Sequence, residues 1–249
     1  MIAMGEKLAK PPVIEAICEF RFAETAPWEW TIPGQLYDKI GQEFADRSQL
    51  QGMGVQIKAS QSAPPIATIQ PAPNRVQLKR QDGSAMVQIG PHLLAINHLK
   101  PYPEWETFRL LITRIFDQYR SITGDAPLER IGLRYINEIA VPDYPFDIGS
   151  YITLDPPLTG ALDRPLRSAY QRYELEEEQP VGALIHQSGI RREEGKTAII
   201  LDLDFGSTMA NQTRATDEIR DWLDAAHDRI YESFVASLNP EMYEKLRKG

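Results

Sequence analysis

Two runs of about ten residues constrain this chain most, because each alternates cleanly with a period of two. In Arg130–Ile139 (RIGLRYINEI), Ile131, Leu133, Tyr135 and Ile139 fall on one side, and Asn137 is the one polar group among them. Arg130, Arg134 and Glu138 fall on the other side, with Gly132 and Ile136 between them. In Val13–Phe22, Ile14, Ala16, Cys18, Phe20 and Phe22 alternate with Val13, Glu15, Ile17, Glu19 and Arg21, and Pro11 and Pro12 set the start. Each run reads as a strand with one apolar face and one charged face, so whatever fold forms must cover the first and hydrate or pair the second.

The remaining pattern extends this reading. A helix is expected from Pro33, with Leu36, Tyr37, Ile40 and Phe44 as its apolar stripe. Strands are expected at 54–59, 66–70, 75–80 and 85–89, continuing through 93–97, with Asp82-Gly83 as a hairpin turn. Pro64-Pro65, Pro71 and Pro73 punctuate this meander and would be awkward inside a central strand. A long helix from Pro103 to Ile122 carries Trp105, Phe108, Leu111, Ile112, Ile115, Phe116 and Tyr119 on one broad face, with Glu104 and Glu106 at its positive end. The second half repeats the order. Its opening strand precedes a Pro-rich passage (141–165) with a short helix near 147–152. Strands are expected at 169–176, 183–190 and 197–205. Glu176–Glu178 and the segment 191–195 read as solvated turns. A final helix from about Ala215 has the stripe Ile219, Trp222, Leu223, Ala226, Ile230, Phe234 and Leu238, and Asn239-Pro240 stops it. The expected class is α+β: antiparallel sheets with long amphipathic helices, and a duplicated strand–helix–meander–helix unit. The halves would be 1–125 and 126–249, packed together as one unit.

Composition narrows the setting. The chain is 42% hydrophobic and 25% charged, with no apolar run as long as a membrane span and no apolar signal stretch in MIAMGEKLAKPP. Cys18 is the single cysteine, which excludes an intramolecular disulfide and any multi-cysteine zinc site and fits a reducing cytoplasm. The net charge of -8 lies wholly in residues 126–249, which hold 14 Lys/Arg and 22 Asp/Glu; residues 1–125 hold 13 of each. An acidic half repels a phosphate backbone and argues against nucleic acid, although solubility alone also accounts for it.

Catalytic signatures are missing from the sequence. It has no GxSxG elbow, no HExxH, no GxGxxG after a strand and no paired CxxC. His92, His98, His186 and His227 are scattered, so no metal site and no cofactor is expected. Gly189–Thr197 (GIRREEGKT) resembles a phosphate loop, yet has five residues between its glycines, two of them glutamates, and leads into a strand.

What survives is a face of strands. Glu15, Glu19 and Arg21 share the charged side of the first strand, and Arg130, Arg134 and Glu138 that of the central one. Asp202 and Asp204 stand opposite the apolar row Ile199, Leu201, Leu203 and Phe205. If the three strands are neighbours, these groups form one surface. Its plain explanation is a solvated ion-pair ladder, each cross-strand pair worth about 0.2–1 kcal/mol. Its functional explanation is a groove in which Arg130 and Arg134 clamp a carboxylate or phosphate. Asp202 and Asp204 alone are too few ligands for a divalent cation. Tyr102 and Trp105 read as packing at a helix start, and Arg75, Lys79 and Arg80 as a weak basic cluster.

Four segments carry a resemblance: Lys10–Phe22 (KPPVIEAICEFRF), Pro101–Phe108 (PYPEWETF), RIGLRYINEI, and Leu201–Phe205 (LDLDF) together with the final helix around His227–Leu238. They resemble a sporadically distributed bacterial and archaeal family of similar length. The matching positions are Glu15, Arg21, Tyr102, Trp105, Arg130, Arg134, Asn137 and Asp202. The patchy distribution of that family implies carriage with defence, restriction or addiction genes, and hence a role in phage defence or toxin–antitoxin-like regulation.

Two functions are therefore expected in competition. The first is a cytoplasmic, non-enzymatic interaction or regulatory protein whose partner is another protein, a basic one given the acidic second half, with a homo-oligomer left open. The second is an enzyme or sensor binding a nucleotide or other phosphorylated ligand on the Arg/Asp face.

Overall fold

A computed structural model of the chain describes residues 8–60, 63–142, 146–153, 168–193 and 196–249. The first strand, β1 (Val13–Phe22), is followed by α1 (Ile32–Ile40), β2 (Asp46–Ser60), β3 (Ala63–Lys79), β4 (Ala85–Gly90), β5 (Leu93–Leu99) and α2 (Trp105–Thr123). Then come β6 (Leu128–Val141), one 3-10 turn (Ile148–Ser150), β7 (Tyr170–Glu178), β8 (Val181–Glu193), β9 (Lys196–Gln212), α3 (Thr216–Ser237) and α4 (Pro240–Lys248). The class is α+β.

The strands form one antiparallel sheet in the order β2-β3-β4-β5-β1-β6-β9-β8-β7. At its centre the two sequence-defining strands pair with each other, Phe20 opposite Ile131 and Cys18 opposite Leu133. Read outward from that pair, each side runs in descending chain order. Among the described residues, the helices cover one face. The rings of Phe20 and Phe116 stack at 4.5 Å, Phe22 and Tyr119 at 5.0 Å, and Phe205 meets Trp222 at 5.8 Å. Ile131, Leu133, Leu201 and Leu203 complete the sheet side of this core, fully buried. Burial of this kind pushes the Tyr119 hydroxyl up to about 12.

Several local expectations need correction. In β1 the pairing with β6 shifts between Val13 and Glu15, so Val13 is buried and Ile14 only half-buried. The prolines at 64, 65, 71 and 73 do not interrupt β3. That strand meets β4 through Val76–Lys79, so among the described residues its proline-bearing part has β2 as its one neighbour, and a missing N–H breaks no second ladder there. Glu176–Glu178 belong to β7, an edge strand facing solvent, where charge discourages further pairing; the turn falls at Gln179-Pro180. Arg191–Glu193 likewise extend β8, while residues 194–195 lie outside the described residues. The same holds for residues 1–7 and for most of the Pro-rich passage, 143–145 and 154–165.

Asn239-Pro240 ends one helix and begins another. The Asn239 side chain accepts from the Glu241 backbone N–H at 2.9 Å, capping α4, and Met242 and Leu246 of α4 join the core. Asp82-Gly83 makes the expected hairpin turn, with Gly83 at φ 71° and the Asp82 carboxylate accepting from Ser84 N–H at 2.9 Å.

Phe20 anchors the stack between the central strand and α2, so Phe20→Ala is expected to cost about 3–5 kcal/mol in urea unfolding. A loss under about 1 kcal/mol contradicts this packing.

Candidate functional site

On the face opposite the helices, the eight charged residues singled out in the sequence come together on β1, β6 and β9, which are consecutive neighbours. Arg21 stands opposite Arg130, and Glu19 opposite Gly132, itself opposite Gly206. Ile17, Arg134 and Asp204 form the next row, and Glu15, Ile136 and Asp202 the one after.

Direct neighbours are thus mostly not partners, and the cross-strand ion pairs run diagonally. Arg134 grips Asp202 with two hydrogen bonds, Nε to Oδ1 at 2.8 Å and Nη2 to Oδ2 at 2.5 Å. Gln187 Nε2 reaches the same carboxylate at 3.3 Å. Arg130 reaches Glu19 at 3.5 Å and Asp204 at 3.4 Å, long contacts made possible by glycine. A Cβ on Gly132 or Gly206 would run into the Arg130 guanidinium, which therefore lies flat over both. Arg21 closes on Glu19 at 2.7 Å, Glu138 pairs with Arg191, and Glu15 accepts from Asn97 at 2.7 Å. Burial raises the Asp204 carboxyl above its ordinary range, against the lowering influence of Arg130 and Arg134.

Chemically, this is a surface whose charges satisfy one another. An incoming phosphate would have to displace Asp202 from Arg134, or share Arg130 with Glu19 and Asp204, whose negative charge opposes it. Each aspartate of the Asp202/Asp204 pair faces an arginine. Among the described residues, no group of three or more His, Cys, Asp or Glu converges as metal ligands. Of the basic cluster, Arg80 is engaged by Glu43, its Nε donating at 2.9 Å. His92 sits in the turn before β5, which carries His98.

A second locus lies on the helix side. A cleft of about 840 Å³ opens between the segment leading into β1, the start of α2 and the middle of α3. Its walls are aromatic. Trp105 stacks on His227 at 4.3 Å, Tyr102 meets Tyr135 edge-on at 5.5 Å, and Tyr231 and Phe234 continue the lining. The Tyr102 and Tyr135 hydroxyls share a hydrogen bond at 2.8 Å, and burial drives both well above their ordinary range. Asn137 is 2% exposed and lines the cleft. Its Nδ2 donates to Leu201 O at 3.1 Å, and its carbonyl oxygen takes no hydrogen bond from the described residues. Burial pushes the His227 imidazole down to about 4, so it is neutral at pH 7.

The mouth of the cleft is acidic. Along α3, Asp217, Asp221, Asp224, Asp228 and Glu232 recur at intervals of about one helical turn, on the side away from the buried Leu223, Ala226 and Ile230. Asp224 accepts from the Trp105 indole N–H at 2.8 Å and from Arg109 at 3.2 Å, tying this stripe to α2. Burial raises the Asp228 carboxyl, and repulsion from Asp224 and Glu232 adds to it.

No family model matches the chain, and no curated protein matches it. The cleft was the locus missed in the sequence, although Tyr102 and Trp105 lie in Pro101–Phe108, Asn137 in Arg130–Ile139 and His227 in the final helix, all segments singled out there. Read singly, Tyr102 and Trp105 were packing residues. Only the distance-spanning stack of Trp105 on His227 makes them a wall.

Two outcomes follow from these contacts. Arg134→Ala leaves the nearly buried Asp202 without its main partner and is expected to cost about 1–3 kcal/mol, whereas Arg130→Ala, with its long contacts, costs under about 1 kcal/mol. Equal losses in chemical denaturation contradict the assignment of Arg134 as the locking pair. For His227, the folded form binds its proton only near pH 4 and the unfolded form near 6.5, so stability falls as pH drops through that window. His98 and His186, also lowered mainly by burial, act in the same direction. His227→Phe is expected to lose less stability between pH 7 and 5 than the parent. An unchanged slope contradicts a buried, neutral His227.

Proposed function

We propose that the chain is a cytoplasmic, non-enzymatic interaction protein whose partner is a basic protein, and that it serves as the regulatory, antitoxin-like member of a phage-defence system. The observation that carries this reading is the unequal distribution of charge over the two sides of the sheet. On the face of β1, β6 and β9, arginines and carboxylates answer each other in pairs. On the helix side, α3 carries six Asp/Glu against two Arg. Asp217, Glu218, Asp224 and Glu232 pair with Arg220, Arg214, Arg109 and Arg229. Asp221 and Asp228 have no Lys or Arg partner among the described residues, and Asp228 stands at the mouth of an aromatic cleft. Unbalanced surface carboxylates steer a cationic partner into encounter and reject an anionic one. The docking side in this reading is therefore α3 and the start of α2, with the ion-paired face as a rigid backing.

The strand order supports a further part of the proposal. Each half begins with a central strand and proceeds through an edge-to-centre meander to a long helix, α2 of 19 residues and α3 of 22, each burying one apolar face. That arrangement is what duplication of one strand–helix–meander–helix unit produces when the two copies pair through their first strands.

Affinity capture from the native host at low salt, comparing the parent with Asp221→Lys/Glu232→Lys and with Arg130→Ala, tests the reading. The partner is expected with the parent and with Arg130→Ala, and is lost with the doubly reversed α3 variant or at about 0.5 M salt. No capture in any arm, or capture indifferent to the α3 reversal, refutes it.

A further inference from the structure

The cleft between α2 and α3 has a chemistry more specific than general acidity. Glu104, Glu106 and Asp228 line it, and no Lys or Arg does so among the described residues. Arg109, one turn along α2 from Trp105, is held between Glu106 at 2.5 Å and Asp224 at 3.2 Å and sits outside the lining. His227, the other basic group, is neutral. The positive end of α2 could attract an anion, yet Glu104 and Glu106 occupy that end. The aromatic walls point the same way, because the faces of Trp and Tyr rings carry negative potential that attracts ammonium and guanidinium groups.

Deeper in, the available polar groups are acceptors or adaptable hydroxyls. The Asn137 carbonyl oxygen lines the cleft and takes no hydrogen bond from the described residues. Of the two tyrosine O–H groups in the Tyr102–Tyr135 pair, only one is used between them. An acceptor that faces the cleft and is unused by the described residues is open to the N–H of a ligand. The volume of about 840 Å³ is well beyond a single side chain and accommodates a side chain together with flanking backbone.

We infer that this cleft takes the cationic side chain, a lysine ammonium or an arginine guanidinium, of an extended segment of the partner protein. The alkyl stem lies along Trp105 and Tyr102, Asp228 meets the charge, and Asn137 accepts one N–H. This rests on the reading of the chain as a binder of a basic protein and names the anchor point of that binding.

The test is a titration followed by the indole 1H–15N resonance of Trp105, assigned with Trp105→Phe. Three probes are used: a blocked pentapeptide Gly-Gly-Lys-Gly-Gly, the same peptide with Glu at its centre, and n-butylammonium. The lysine peptide is expected to shift the resonance saturably, the glutamate peptide not at all, and n-butylammonium to bind about tenfold more weakly for want of the peptide contacts. Asp228→Asn and Glu106→Gln, both at exposed or half-exposed positions, are each expected to weaken the lysine peptide about three- to tenfold while leaving the circular dichroism spectrum unchanged. Three results overturn the inference: no saturable shift with the lysine peptide, equal binding of the glutamate peptide, or indifference to both variants. Binding of n-butylammonium as tight as the peptide also overturns it, because the ligand is then a free cation. If the cleft fails here while the α3 reversal still abolishes capture, the anchor is wrong and the interaction reading stands. If the cleft binds lysine but no partner is captured, the interaction reading has failed and the cleft has not.

Discussion

Everything in this molecule depends on β1 and β6 pairing at the middle of the sheet in one register from Glu15 to Arg21. Cys18 opposite Leu133 and Phe20 opposite Ile131 put both apolar rows under the helices. The same register then has no choice about the other face: Glu19 falls opposite Gly132, and Arg134 falls between Ile17 and Asp204. A slip of one residue would turn charge into the core and isoleucine and phenylalanine to solvent, at a cost no ion pair offsets. The ion-paired face is in this sense a by-product of the core, made stable by diagonal pairing where direct neighbours, Arg21 and Arg130, repel.

The two faces of β6 bear on the two candidate sites. Arg130 and Arg134 project to the ion-paired side. Tyr135 and Asn137, next along the same strand, project to the helix side and floor the cleft. One strand therefore sets the geometry of both. The stack of Trp105 on His227, with the Asp224 carboxylate holding the indole N–H, then joins α2 to α3 across the cleft and makes its wall a fixed one.

Much of the fold was legible because period-two and helical patterns report burial directly. The bounds of β1 and the burial of α2 and α3 follow from apolar spacing. What sequence spacing does not report is neighbourhood. The prolines of β3 read as breaks, since nothing local says that the strand lacks a second partner there. Glu176–Glu178 read as a turn, since an edge strand and a loop are equally hydrated. Asn239-Pro240 was legible as a stop, while its second role as the cap of α4 depended on Met242 and Leu246 finding the core. For the sites, the charged rows could be drawn from β1, β6 and β9 separately. Their pairing, above all the long reach of Arg130 over two glycines, needed the order of strands. The cleft was illegible for the same reason: its residues come from four segments, and each alone is explained by packing.

The central claim is that binding occurs on the α2–α3 side while the sheet face is closed by its own charges. Hydrogen exchange of the chain alone and in complex with the captured partner measures this most directly. The account requires new protection at residues 104–109 and along α3 from Asp217 to Glu232, with the amides of β1, β6 and β9 unchanged. Protection gained on those three strands and none on α3 would place the interface on the opposite side and contradict it.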